Sequence, residues 1–83
     1  MQYKARAGYT ITIDGSRITL KEFMKDSEVT FDKSEISEVE LRRGVYDIPF
    51  LEKSIALRLK NGKKYVIRRL KKKEAEEIRN QLL

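Results

Sequence analysis

The residues most able to do chemistry in this chain are cations, and they are concentrated between Lys53 and Lys73. This stretch holds ten lysines and arginines and no aspartate or glutamate. Residues 1–52 carry eight basic and ten acidic side chains, a net charge of −2. Residues 53–83 carry eleven basic and three acidic side chains, a net charge of +8, so the whole chain has a net charge of +6. This asymmetry predicts an anionic partner and leaves open nucleic acid (DNA or RNA), an anionic membrane surface or an acidic protein.

Catalytic chemistry has few candidate residues. The chain contains no histidine and no cysteine, which removes the commonest general base, the commonest metal ligand and any thiolate nucleophile. A serine nucleophile would need a lysine as its base, and no serine has such a context. Glu38 and Glu40 share one outward face of a predicted strand, which is typical of solvated surface. The sequence therefore predicts no enzyme, no catalytic residue, no metal site, no cofactor and no small-molecule substrate.

Length and composition predict one small domain over residues 1–83. A chain of 83 residues can bury only a modest core. The absence of cysteine excludes disulfides and favours a reducing compartment. No apolar run approaches the length of a membrane span, and residues 1–8 lack the core of a signal peptide. We therefore expect a cytoplasmic protein.

A hairpin centred on Asn61-Gly62 carries many of the cations. Asn-Gly is a strong hairpin signal because both residues tolerate positive φ. A two-residue turn would put Tyr65 and Ile67 on the face opposite the apolar residues of the first arm. A loop one residue longer, with Gly62 in a G1 bulge, puts them on the same face. We prefer this bulged register, because it separates a core-facing stripe (Ile55, Leu57, Leu59, Tyr65 and Ile67) from a charged face (Arg58, Lys60, Lys64 and Arg68).

The charged face has two interpretations. It can be ordinary solvated surface that protects a sheet edge, or it can bind an anionic partner. The absence of acids favours binding for two reasons. Like charges facing each other in a sheet lower its stability, and a face that serves only solubility usually carries charges of both signs. The residues predicted to bind an anionic partner are Arg58, Lys60, Lys63, Lys64, Arg68, Arg69, Lys71, Lys72 and Lys73.

Alternating apolar and polar residues predict the remaining strands. Phe23 and Met24 break the alternation, which predicts a strand end and a loop. Ile36 is out of phase with Val39 and Leu41, so the strand predicted at residues 36–43 has Ser37 as an alternative first residue. The predicted segments are strands at residues 3–7, 9–13, 16–22, 28–32 and 36–43 and a turn at 33–35, with Val29, Phe31, Val39 and Leu41 facing inward.

The opening hairpin contains Asp14-Gly15, which predicts a two-residue type I′ turn. In that register Ile11 faces Ile18 and Tyr9 faces Leu20. The opposite face is rich in threonine and is expected to be solvated, as antiparallel sheets allow.

Residues 44–52 (G-V-Y-D-I-P-F-L-E) combine loop residues with an apolar composition. Pro49 excludes a central strand there. One interpretation is a plug folded over one end of the core. The other is a contact surface for a partner or a second copy, or a wedge at a membrane, because exposed apolar loops tend to mark contacts. The residues of the contact surface would be Val45, Tyr46, Ile48, Phe50 and Leu51.

The last segment, residues 71–83, predicts an α-helix. Ala75, Ile78 and Leu82 form one apolar stripe that can cover the sheet. No Ser, Thr, Asp or Asn marks the start of the helix. Lysines crowd that end instead, where the helix dipole disfavours cations, which suggests that they serve a partner.

The order of these elements resembles the pleckstrin-homology-like (PH-like) fold, and specifically the short bacterial PH-like domains. The matching segments are Y-T-I-T-I-D-G-S-R-I-T-L-K, V-T-F-D-K-S-E-I-S-E-V-E-L, L-R-L-K-N-G-K-K-Y-V-I and E-A-E-E-I-R-N-Q-L-L, which span almost the whole chain. The resemblance implies an α+β fold, mainly antiparallel: six or seven strands (residues 3–70) in a sandwich or partly open barrel, followed by one C-terminal helix (71–83).

PH domains that bind phosphoinositides carry a Lys-spacer-Arg-x-Arg pattern around the loop that joins their first two strands. Here we place the acidic turn Asp14-Gly15 at that connection, followed by Arg17 and Lys21, and the pattern is missing. The resemblance then implies a non-enzymatic module that binds a protein or associates with itself. A basic β-domain on the phosphate backbone of nucleic acid is the alternative, and peripheral binding to anionic lipid is a lesser one.

Overall fold

The computed structural model describes residues 1–6, 9–22 and 27–83. Within these residues the chain forms seven strands and one α-helix, as the α+β prediction expects. The predicted strand end at Phe23 and Met24 and the residues Ala7 and Gly8 lie outside the described residues. The elements are β1 (Gln2–Lys4), β2 (Tyr9–Asp14), β3 (Arg17–Glu22), β4 (Glu28–Asp32), a 3₁₀ turn (Lys33–Glu35), β5 (Ile36–Arg42), β6 (Glu52–Leu59), β7 (Lys64–Lys71) and α1 (Lys72–Leu82).

The strands form two antiparallel sheets, in the orders β1-β2-β3-β4 and β5-β6-β7. Both sheets and α1 contribute to one core. The sheets meet where Arg6 N donates to Arg69 O (3.1 Å) and where the rings of Phe31 and Tyr65 stack with centroids 6.1 Å apart. This arrangement is consistent with a PH-like sandwich. The side chains at the centre of the core are Ile11, Ile18, Leu20, Ile55, Leu57, Ile67, Leu70 and Ile78.

The last hairpin confirms the bulged register. Ile55 pairs with Ile67 and Leu57 with Tyr65. Leu59 N donates to Lys63 O (2.8 Å) across a three-residue loop, in which Gly62 has a φ of 90°. A side chain at Gly62 would be strained by this φ, so the loop depends on glycine. The apolar stripe consequently faces the core.

The opening hairpin corrects the predicted register. Ile13, not Ile11, pairs with Ile18, and Ile11 pairs with Leu20. The turn is therefore Gly15-Ser16, and positive φ at Gly15 alone (61°) is the pattern of a type II′ turn. The predicted pairing was wrong because two adjacent dipeptides each suit a two-residue hairpin turn. Asp14-Gly15 suits type I′ and Gly15-Ser16 suits type II′. The apolar residues still share the inner face, since the shift preserves their alternation.

Two connections also differ from expectation. The turn after Asp14 joins the second and third strands, because β1 precedes them. The connection between the first two strands is residues 5–8, of which 5 and 6 are described. In β5, a bulge between Ile36 and Glu38 brings Ile36 into phase, so the strand begins at Ile36, the first residue of the predicted range, and the alternative start at Ser37 is wrong.

The C-terminal helix buries its predicted stripe, Ala75, Ile78 and Leu82. Its N-cap residue, Lys71, makes no side-chain capping bond, as the sequence predicts. Gln81 Nε2 donates to Tyr3 Oη (2.8 Å), which ties the helix to β1. Burial is the main cause that raises the pKa of Tyr3.

Candidate interaction surface

The loop between β5 and β6, residues 43–51, projects its apolar side chains into solvent. Val45 is 95% exposed, Phe50 89%, Tyr46 71%, Leu51 65% and Ile48 37%. The plug interpretation of this segment is therefore wrong: these residues do not fold over the core. They form an apolar surface that we call the β5–β6 loop surface.

A buried carboxylate holds this loop in place. Asp47 is 5% exposed. Its Oδ2 accepts hydrogen bonds from Gly44 N (2.6 Å) and Ser54 Oγ (2.7 Å), and its Oδ1 accepts one from Arg69 N (2.9 Å). Three donors from the loop, β6 and β7 thus converge on one side chain, so the loop has little freedom to move relative to the sheet.

Glu52 makes a second anchor at the other end of the loop. Its Oε1 accepts from Ile48 N (3.0 Å) and Arg69 Nε (3.0 Å). Its Oε2 has no hydrogen-bond partner among the described residues and lies 3.5 Å from Arg6 Nη1. The hydrogen bond from Ile48 N, together with the neighbouring arginines, lowers the pKa of Glu52.

Gly44 fits between these groups because it has no side chain. A Cβ at this position would lie 2.6 Å from Ser54 Oγ and 3.0 Å from Asp47 Oδ2. Both atoms belong to the anchor, so a larger residue would displace it.

Two residues at this end of the molecule have positive φ without being glycine, Phe50 (67°) and Arg69 (60°). Leu51 N donates to Ile48 O (3.1 Å), so Phe50 is the third residue of a β-turn whose second residue is Pro49. These are features of a type II turn, in which glycine or asparagine is usual at the third position. Such strain costs about 1–3 kcal/mol, and the exposed Phe50 ring makes no core contact that offsets it.

Cations line two separate clefts beside the loop. One cleft, of 410 Å³, has Ile48, Phe50 and Leu51 on its walls, with Arg6, the buried Glu52 and the three lysines of residues 71–73. A smaller cleft of 190 Å³ contains Val45 and Tyr46 together with Arg42, Arg43 and Arg68. The apolar residues of the loop therefore have cations beside them in both clefts.

The nine predicted anion-binding residues do not form one face. Lys71, Lys72 and Lys73 lie beside the β5–β6 loop. Arg69 is partly buried in the Asp47 and Glu52 anchor. Arg68 borders the smaller cleft. The remaining four lie on the outer face and turn of the last hairpin: Arg58, Lys60, Lys63 and Lys64.

The outer face of that hairpin is not purely basic in three dimensions. β5 places Glu38 opposite Arg58, with Arg58 Nη1 and Glu38 Oε2 4.0 Å apart. Arg42 Nη2 lies 3.3 Å from Glu40 Oε2 on the same face. The run without acids is thus balanced by acids from a neighbouring strand, as expected of a solvated face.

The sequence did not reveal several residues of this surface. Arg6 and Arg43 are far from the basic run, and only the fold brings them to the loop. Asp47 and Glu52 were visible as acids in an apolar segment, and that contrast was the available signal for a buried anchor.

No protein-family model and no curated protein matches the sequence. Among the described residues, no helix combines the length and the apolar character needed to span a bilayer. Fold and surface together define a small α+β sandwich with an anchored apolar loop and cations in two clefts beside it.

Proposed function

We propose that this chain is a non-enzymatic, PH-like interaction module that binds an anionic partner through the β5–β6 loop surface. The observation that carries the proposal is Phe50. This aromatic side chain is 89% exposed and sits at a positive φ that glycine or asparagine would adopt more easily. Folding does not account for a phenylalanine there, and strained exposed residues cluster at binding sites.

The rigid anchor also supports binding. Asp47 and Glu52 hold the loop backbone through short hydrogen bonds, so little conformational entropy is lost when the loop meets a partner. The lack of cysteine favours a reducing compartment, and we place the module in the cytoplasm.

Symmetric self-association through this surface is disfavoured by its charge. In a two-fold dimer the same patch meets itself, so the lysines of residues 71–73 and the arginines beside the loop would face the cationic patch of the second copy. Like charges brought together cost free energy. An anionic partner avoids this cost.

Nucleic-acid binding by the outer face of the last hairpin is the weaker candidate. Its main support was a face without acids, and Glu38 and Glu40 lie on that face. The exposed aromatic residues Tyr46 and Phe50 belong to the loop instead. Anisotropy of labelled DNA and RNA at two salt concentrations tests this alternative, because phosphate contacts would give a steep loss of affinity with salt.

Site-specific photo-crosslinking tests the proposed function. A benzoylphenylalanine at position 50 is expected to give adducts in cells, whereas the same group at the exposed Thr30 is not. Excess wild-type chain should compete with the adducts, and a Phe50→Gly chain should compete poorly. Absence of adducts specific to position 50 would overturn the proposal.

A further inference from the structure

We infer that the partner of the β5–β6 loop surface is an anionic lipid bilayer. Phe50 and Leu51 would insert among the acyl chains, while Lys71, Lys72 and Lys73 would lie against the headgroups. This inference rests on the proposed function, because it names the partner of the same surface.

The shape of the loop favours a bilayer over a folded protein. Val45 and Phe50 at the loop tip are almost fully exposed, so they project outward and are not enclosed by a groove. A protein partner would have to supply a matching groove, whereas a bilayer accepts projecting apolar side chains without shape complementarity. Aromatic and aliphatic residues next to cations are typical of interfacial insertion.

The position of the lysines fits the layers of a bilayer. Lys72 N donates to Leu51 O (3.0 Å), so the lysine run begins next to the loop. All three lysines are exposed, and among the described residues none of them forms an ion pair. Each lysine held near an anionic surface raises binding by about fivefold.

Arg43 and Arg68 extend this arrangement to the second cleft beside the loop. Both are exposed and border the smaller cleft beside Tyr46. Cations in two clefts beside an apolar tip can contact headgroups simultaneously while the tip enters the apolar layer. A single groove for an acidic peptide would not need cations in two separate clefts.

Insertion can be observed directly, because the chain contains no tryptophan. In a Phe50→Trp variant, vesicles of phosphatidylcholine and phosphatidylglycerol in equal parts should shift the emission to the blue, and brominated acyl chains should quench it. A Thr30→Trp variant, on the outer face of the other sheet, should show neither effect. Pure phosphatidylcholine vesicles should produce no shift with either variant.

Flotation with the same vesicles distinguishes binding through this surface from unspecific attraction of a basic protein to anionic lipid. Phe50→Ser should lower the vesicle partition coefficient, obtained from the bound fraction, roughly tenfold or more. Replacing Lys71, Lys72 and Lys73 together by Gln should lower it about fivefold per lysine. The matched control replaces Lys60, Lys63 and Lys64 by Gln, which removes equal charge at the opposite end of β6 and should leave most binding intact.

Three results would overturn the inference: no flotation with anionic vesicles at low salt, no blue shift at position 50, or equal losses from the two triple variants. If flotation fails while the crosslinker at position 50 captures a protein or a nucleic acid, the bilayer is the wrong partner and the proposed function stands. If position 50 also gives no adduct, both proposals fall.

Discussion

The backbone N–H of Lys72 donates to the carbonyl oxygen of Leu51, 3.0 Å away, and joins the start of α1 to the end of the β5–β6 loop. The first N–H groups of a helix have no partner inside the helix, and here the loop supplies one where the sequence supplies no capping side chain. The lysines at the helix start are therefore held beside the apolar tip.

The missing cap leads to the first prediction. Lys71 occupies the N-cap position without a capping bond. A Lys71→Ser substitution should add such a bond and raise the free energy of unfolding by about 1 kcal/mol. The same change should lower vesicle binding about fivefold. Urea unfolding and flotation measure the two effects, and a substitution that weakened both would contradict the role assigned to Lys71.

The second prediction concerns the buried anchor. Asp47→Asn keeps the shape of the side chain but turns an amide N–H toward groups that donate to the carboxylate. We expect the free energy of unfolding to fall by about 1–3 kcal/mol. The control is Asp14→Asn at an exposed position, which should change it by less than about 0.5 kcal/mol. Equal effects in urea unfolding would show that the anchor contributes nothing.

Local signals were sufficient for some of these elements. Gly62 in its bulge and the stripe of Ala75 and Ile78 depend on turn chemistry and helical spacing, which act over a few residues. Both were predicted correctly. The pairing of the opening hairpin was not, because Asp-Gly and Gly-Ser each satisfy a tight turn; the two turns differ by one residue in position and so by two residues in strand pairing.

The surface required information that no local pattern holds. Glu38 neutralises Arg58 only because β5 pairs with β6. Arg6 reaches the loop only because the two sheets meet near Arg69. Apolar content alone does not tell whether residues 43–51 fold inward or project outward. The anchors Asp47 and Glu52 decide that, and Arg69, the partner that they share, is distant in sequence.

Glu52 gives the third prediction, a dependence of stability on pH. Its pKa is lowered in the folded protein, so between the folded and unfolded pKa values the unfolded chain binds more protons. The contribution of Glu52 is therefore fully present above the ordinary pKa of an unfolded glutamate and is lost as the pH falls through the lowered pKa of the folded protein.

Unfolding midpoints measured from neutral pH down through the acid range test this dependence. The wild-type chain should lose stability on acidification more steeply than a Glu52→Gln variant. The difference between them should be largest near neutral pH and shrink in the acid range. If the unfolding midpoints of the two proteins fell in parallel as the pH was lowered, Glu52 would not contribute to the loss of stability in acid.

The last prediction separates binding from folding at Phe50. Glycine adopts a positive φ without the penalty of a side chain, although it makes the unfolded chain more flexible. The balance of these effects predicts that Phe50→Gly leaves the free energy of unfolding unchanged or raises it by up to about 1 kcal/mol, while vesicle binding is lost. Leu57→Ala, in the core, should instead cost about 2–5 kcal/mol. A side chain that serves only a partner can be removed without lowering the free energy of unfolding. If the Phe50→Gly chain instead unfolded as easily as the Leu57→Ala chain, the Phe50 ring would contribute to the stability of the fold.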